Sequence, residues 1–347
     1  MSGVISFHPI DVRFYDELVQ PLLAGEKCNP ESWIERAQRR EISAWYVAQT
    51  VDIIEHLMDQ IEPPPAPEGS TLWVRVRTRL ERFDHRPPRG SVLLARHIDP
   101  ELHLYGRPFL IAEQSAEKVA DVIDEFLEAE GPETAQSLIV QQLMRLDPEL
   151  PRHMGEPSQA PATNASRYRT ELLKQLRQLF DLAQAARSGD SFGRLGGERR
   201  PARDVLRDEL PWMTLVLHAR ANPYWIARDV DGLAGICSVA GLDVPVALSP
   251  PWPLFGEAML DFTELEAALD GDLSHPNRIG LWVAPDDVGE LLAFVNAKGS
   301  QIIKIAGEFG EGARIASVLR KIRECLRYAE LKGLGYLEGS GLPVPEG

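Results

Sequence analysis

IGLWVAPDDVGELLAFVNAKGSQIIKI (Ile279–Ile305) is the stretch on which the fold turns. Its ends, Ile279–Val283 and Gln301–Ile305, are short runs of aliphatic and β-branched residues suited to strands. Between them, Pro285–Lys298 sets Val288, Leu291, Leu292 and Val295 on one helical face, and Gly299 stands where a helix would stop. Strand, helix, strand is the pattern of a right-handed βαβ crossover. A longer helix follows, with Ile315, Val318, Leu319, Ile322, Cys325, Leu326 and Ala329 inward and Gly333 as its stop. Trp212–His218 (WMTLVLH) and Val244–Leu248 add two further β-like runs. Residues 205–347 therefore read as a mixed α/β domain.

Upstream the texture is helical. Asn29-Pro30 caps and starts a helix expected to reach Ile61, and Pro63–Pro67 ends it. TLWVRVRTRL (Thr71–Leu80) fits a helix and also alternates like a strand; its helical surroundings favour helix. Tyr105–Ile111 reads as extended. Ser115 caps a helix with Val119, Val122, Ile123, Phe126 and Leu127 on its stripe, and Gly131-Pro132 starts a second that folds back on it. Residues 1–150 thus form a mainly helical domain. Residues 151–165 have linker composition, Ser166 opens one amphipathic helix, and Ser188–Arg203 is rich in Gly and Arg. The expected organisation is α+β, with domains at 1–150 and 205–347 joined by a basic linker at 151–204.

Charge follows the same division. Residues 1–150 hold 15 Lys+Arg against 26 Asp+Glu, residues 151–204 hold 10 against 6, and residues 205–347 hold 12 against 20. The chain carries −15 overall, which disfavours nucleic acid and favours basic partners. The cluster Arg75, Arg77, Arg79, Arg82, Arg86 and Arg89 lies inside an acidic block, so pairing with neighbouring acidic helices is the expectation. No apolar run is long enough for a membrane helix, and the first residues lack the basic start and apolar core of a secretory signal. Cys28, Cys237 and Cys325 form no close pair and read as free thiols. A cytoplasmic protein with no membrane contact is expected.

Motifs for chemistry are weak. His85, His97, Asp99 and His103 lack the helical spacing that brings metal ligands together. Gly307–Gly312 (GEFGEG) occupies the place of a phosphate loop, but Glu308 and Glu311 would repel phosphate and no Lys is present. Ser340, in Gly339-Ser340-Gly341, falls in a tail and is no nucleophile elbow. Asp286-Asp287 is explained by a helix first turn. No catalytic residue, cofactor or metal is expected.

Two acidic stretches remain, 113–133 and 257–290. The second holds Glu257, Asp261, Glu264, Glu266, Asp270 and Asp272, then Asp286, Asp287 and Glu290, against Arg278 alone. A solvated face explains such runs; a docking surface for a basic protein is the sharper alternative. Leu248–Phe255 (LSPPWPLF) lies just before it, with Tyr224-Trp225 further back. Tyr224, Trp225, Trp252 and Phe255 are the aromatic anchors such a surface would use. Against this, Trp252 and Phe255 can instead close over the domain's own core.

DPELHLYGRPFLI (Asp99–Ile111) and LRYAELKGLGYLEGSGLPVP (Leu326–Pro345) resemble segments of bacterial immunity proteins encoded beside polymorphic or type VI secretion toxins. The resemblance implies an antitoxin that binds and occludes a cognate basic toxin, such as a nuclease effector, and transfers no catalytic residue. The alternative is an enzyme or small-ligand binder whose site is assembled from distant residues at the strand ends of the C-terminal domain. A third reading is a structural adaptor, which a large flat apolar patch would favour.

Overall fold

The computed structural model describes residues 5–40, 98–104, 107–110, 116–129, 132–146, 148, 150–153, 162–193, 199–222, 224–228, 232–245, 250–261, 273 and 278–342. The fold is α+β and mostly helical. Strand β1 (Ile5–Ile10) leads into a helical run, Val12–Phe14, Tyr15–Val19 and Gln20–Ala24, that Gly25 ends at φ 73°. Helix α1 is described over 31–40, and Asn29 Oδ1 accepts the Glu31 N–H at 3.1 Å, as its capping role requires. The rest of the helix expected to reach Ile61, Thr71–Leu80 and the arginine cluster lie outside the described residues.

A hairpin, β2 (Ile98–Leu104) and β3 (Arg107–Leu110), precedes α2 (Ala116–Glu128) and α3 (Pro132–Leu146), both where the apolar stripes place them. Then come α4 (Ala162–Ser188), the short strands β4 (Ser191–Phe192) and β5 (Arg200–Pro201), and α5 (Ala202–Ala221). Strand β6 (Ile226–Arg228), α6 (Leu233–Val239) and a tight helical turn (Trp252–Asp261) follow. The last elements are β7 (Ile279–Val283), α7 (Val288–Glu308), α8 (Gly312–Lys332) and β8 (Gly335–Ser340).

The main sheet has the order β6-β1-β8-β7, with every neighbour antiparallel. Its two inner strands come from opposite ends of the sequence: Ile5 lies opposite Ser340 and Ile10 opposite Gly335. Both are buried along their whole length, because helices cover both faces. On one face Phe7, Ile226 and Tyr336 pack with α2, α6, α7 and α8; on the other Ile10, Trp282 and Leu337 pack with the first helical run, α1, α4 and α5. Gly335 is required by this packing, since a Cβ there would stand 2.2 Å from the Trp282 indole.

Three expectations are corrected. The boundary at residue 150 does not hold, because β1 is an inner strand of the sheet completed by residues 226–340. The βαβ unit is absent: Gln301–Ile305 continues α7, and β7 pairs antiparallel with β8 after an α7–α8 hairpin. The apolar positions Val288, Leu291, Val295, Ile302 and Ala306 keep helical register throughout. Burying the larger side chains contributes about 1.5–3 kcal/mol each, which outweighs the roughly 1 kcal/mol a glycine costs a helix interior. Gly299 is therefore a point of close approach, where a Cβ would meet Arg323 Nη2 at 3.3 Å, and not a stop.

The third correction concerns Trp212–His218, which is part of α5. From Met213 to Ala219 every side chain is buried, so this stretch shows no polar face and its sequence mimics a buried strand. Val244 and Pro245 belong to no regular element, and 246–248 lie outside the described residues. GEFGEG is a helix–helix turn: α7 ends at Glu308, Gly310 takes φ 79°, and α8 starts at Gly312. Gly333 ends α8 at φ 63°, as expected.

Candidate partner-binding surface and the buried polar groups

Among the predicted anchors, the structure separates Trp252 from the others. Trp252 is 49% exposed, whereas Phe255, three residues on, is fully buried. Phe255 packs edge-on against Tyr15 at 5.7 Å, and Gln20 Nε2 donates to the Leu254 carbonyl at 3.1 Å. Gly256 turns the chain at φ 62°, where a Cβ would collide with the Gln20 amide. The turn is thus bolted to the first helical run through Leu254 and Phe255, and it holds an indole out to solvent.

Tyr224, Trp225 and Phe255 are corrected as surface anchors. Tyr224 is 3% exposed and packs against Tyr328 with ring centroids 4.3 Å apart and the planes tilted by 38°. Trp225 is equally buried and stacks on His8 at 5.6 Å. Their aromatic area is spent on the chain's own core. Glu257 and Asp261 belong to the backbone of the Trp252 turn, while Glu264, Glu266, Asp270 and Asp272 lie outside the described residues. Asp286 and Glu290 are exposed at the start of α7, where the helix dipole favours them.

Sequence reasoning did not single out the buried polar groups. His218, on α5, accepts the Asp11 backbone N–H at Nε2 (3.0 Å), which assigns its ring hydrogen to Nδ1. Asn222 Nδ2 approaches the same nitrogen at 3.1 Å. Phe14 meets the ring edge-on and Tyr15 stacks on it, so it is enclosed by apolar faces. Burial pushes the His218 pKa down to about 3, against the attraction of Asp11. His8 lies on β1 with Nε2 at 2.7 Å from Ser6 Oγ, and burial, then the neighbouring His218, holds it well below the usual histidine range. Both rings are neutral. Burial works against the charge on Asp11, yet Arg13 (2.9 and 2.7 Å) and Arg36 (3.3 Å) hold its carboxyl below the ordinary value.

On the opposite face of the sheet, Glu338 is fully buried. It accepts the Leu233 N–H at 3.0 Å and the Tyr336 hydroxyl at 2.9 Å, so it ties β8 to the first residue of α6. Gly232 is obligatory, since a Cβ would stand 2.0 Å from Glu338 Oε2. Burial raises the Glu338 pKa to about 7, and the two hydrogen bonds limit the rise. Cys237 and Cys325 lie in the same core with their thiols pushed up by burial and by this carboxyl. No sequence signal marks Glu338; GYLEGS has two glycines and no alternation of polarity.

Among the described residues no group of three or more His, Cys, Asp and Glu is placed to hold a metal, and no helix is long and apolar enough to cross a membrane. His85 and His97 lie outside the described residues; Asp99 and His103 are on the backbone of β2. Comparison with known proteins gives no matching family model, no matching curated protein and no matching solved structure.

Proposed function

We propose that this chain is a cytoplasmic immunity protein: an acidic binder that occludes a basic protein toxin, with Trp252 as an anchor of the contact surface. The observation that carries the reading is the contrast at one turn, an indole 49% exposed above a fully buried Phe255. Interface energy concentrates in rigidly presented aromatic side chains, and a turn fixed by its own core presents Trp252 with little entropy left to lose on binding. A net charge of −15 supplies long-range attraction for a basic partner. The buried titratable groups are meanwhile engaged in the fold: His218 holds the start of the first helical run, and Glu338 holds the start of α6.

Co-expression with the product of each adjacent gene tests the proposal. A neighbour that kills alone, is rescued by this chain and co-purifies with it supports the reading. No toxic neighbour and no co-purifying protein would overturn it. With a partner in hand, Trp252→Ala should weaken binding by about 2 kcal/mol, roughly thirtyfold in Kd. Charge reversal at Asp261, Glu264, Glu266 and Asp270 should slow association and flatten its salt dependence.

A further inference from the structure

Phe309 and Val239 are the two most exposed large apolar side chains among the described residues, at 70% and 62%, and both border one cleft. The cleft lies between the end of α6 and the tip of the α7–α8 hairpin. Its floor is apolar, built from Ile236, Ile302, Ala306 and Ile315, and its volume is about 140 Å³. An apolar cavity of about 150 Å³ accepts a benzene ring, so the space suits the side chain of a phenylalanine. Apolar exposure concentrated in this way marks a contact surface.

The tip that carries Phe309 is held by its own backbone. Phe309 and Glu311 both donate their N–H groups to the Ala306 carbonyl, at 3.1 and 2.9 Å, and Gly310 closes the turn at φ 79°. Gly312 lies so near Gly307 that a Cβ there would stand 3.1 Å from the Gly307 Cα. A ring on so tight a turn gives up little backbone freedom when it is covered.

Charge decides what covers it. Glu311 and Arg314 both line the cleft and pair at 2.6 Å, each about half exposed. One anion and one cation make this rim neutral in a chain of net charge −15. A strongly basic or strongly acidic partner gains nothing from such a rim. A second copy turned about a two-fold axis does, because its Arg314 meets Glu311 and its Glu311 meets Arg314. Knob, hole and both charges lie on one patch, as an isologous contact requires.

We infer that the α7–α8 tip is a self-association surface, on which two copies of this chain pair about a two-fold axis with Phe309 of each seated in the cleft of the other. The patch shares no residue with the Trp252 turn, so either can fail without the other.

Sedimentation of the full chain from roughly 1 to 200 μM, a span around micromolar affinity, should show monomer passing into dimer. Added salt should tighten the dimer, because it screens the repulsion between two acidic chains. Docking of a basic protein would respond in the opposite sense. A two-fold counts each substitution twice, so Phe309→Ser should weaken the dimer about a hundredfold or more, while Trp252→Ala should leave it unchanged. Glu311→Arg and Arg314→Glu should each dimerise poorly alone, since each copy then meets its own charge. Mixed in equal amounts they should form a heterodimer, which pairing within one chain cannot produce. Circular dichroism establishes that each variant is folded. A chain monomeric throughout leaves the cleft to a foreign side chain and overturns the inference. A dimer that survives Phe309→Ser, or a mixture of the charge variants that stays monomeric, overturns it as well.

Discussion

Tyr336 donates its phenolic hydrogen to Glu338 at 2.9 Å, two residues along the same inner strand and on the same face of the sheet. The pair puts a carboxyl in the core with a pKa raised to about 7. A raised folded-state pKa means that the native state holds the proton more tightly than the unfolded state. The stabilisation is therefore complete below the unfolded value of 4.5 and is lost as pH rises through about 7. Glu338→Gln keeps an acceptor for Leu233 and Tyr336 and removes the titration. Relative to the native chain, the variant should gain about 3 kcal/mol between pH 4.5 and pH 8, read as urea midpoints across that range. A difference that does not change with pH would show that Glu338 is not the titrating group.

His218 works in the opposite sense. Its folded pKa is depressed to about 3 from 6.5, so the unfolded chain takes up the proton first as pH falls. Stability present above pH 6.5 is lost progressively toward pH 3, by about 5 kcal/mol for this ring at the acid end. His218→Gln should flatten that decline, measured by thermal melts at pH 7 and pH 4. Between pH 4.5 and 6.5 the Glu338 and His218 contributions oppose each other. His8, also held well below the usual range, adds to the His218 side, so the native chain should show a flatter profile there than Glu338→Gln.

The Trp252 turn predicts a split between stability and binding. Phe255→Ala removes a fully buried ring that packs on Tyr15 and should cost about 3–5 kcal/mol of stability. Trp252→Ala should stay within about 0.5 kcal/mol in chemical denaturation. A large loss of stability in Trp252→Ala would show that its indole packs internally and is not presented.

A fragment comprising residues 205–347 should not fold alone. It would hold β6, β7 and β8 but lack β1, leaving β6 detached and one side of β8 unpaired. Supplying Ile5–Ile10 as a peptide should restore dispersion in the amide spectrum. A fragment with native-like dispersion and a cooperative melt without the peptide would reinstate the division at residue 204.

How much of this was legible in the sequence depended on where each element is buried. Helices with one wet face, α2, α3 and α8, announced themselves through 3.6-residue stripes. The inner elements did not. Over Met213–Ala219 of α5 the absence of a polar face erased the helical period, and in β8 burial on both sides erased the alternation. Gly299 misled because a glycine can mark a helix end or a close crossing, and only the partner helix distinguishes them. Trp252 stood out as a proline-flanked aromatic, but its separation from Phe255 did not, since only the fold shows which of the two faces Tyr15. Asp11 and His218 lie 207 positions apart, and no local pattern links them.

The pairing of Ile5 with Ser340 also sets a clock. At about 5–20 residues per second, the ribosome makes the first of these strands roughly 20–70 s before the second. Through that interval the hydrogen-bonding edge of Ile5–Ile10 that faces Ser340–Gly335 has no native strand to meet. The sheet can close only after Gly335–Ser340 has emerged. Its assembly waits on that interval, whose length translation speed sets.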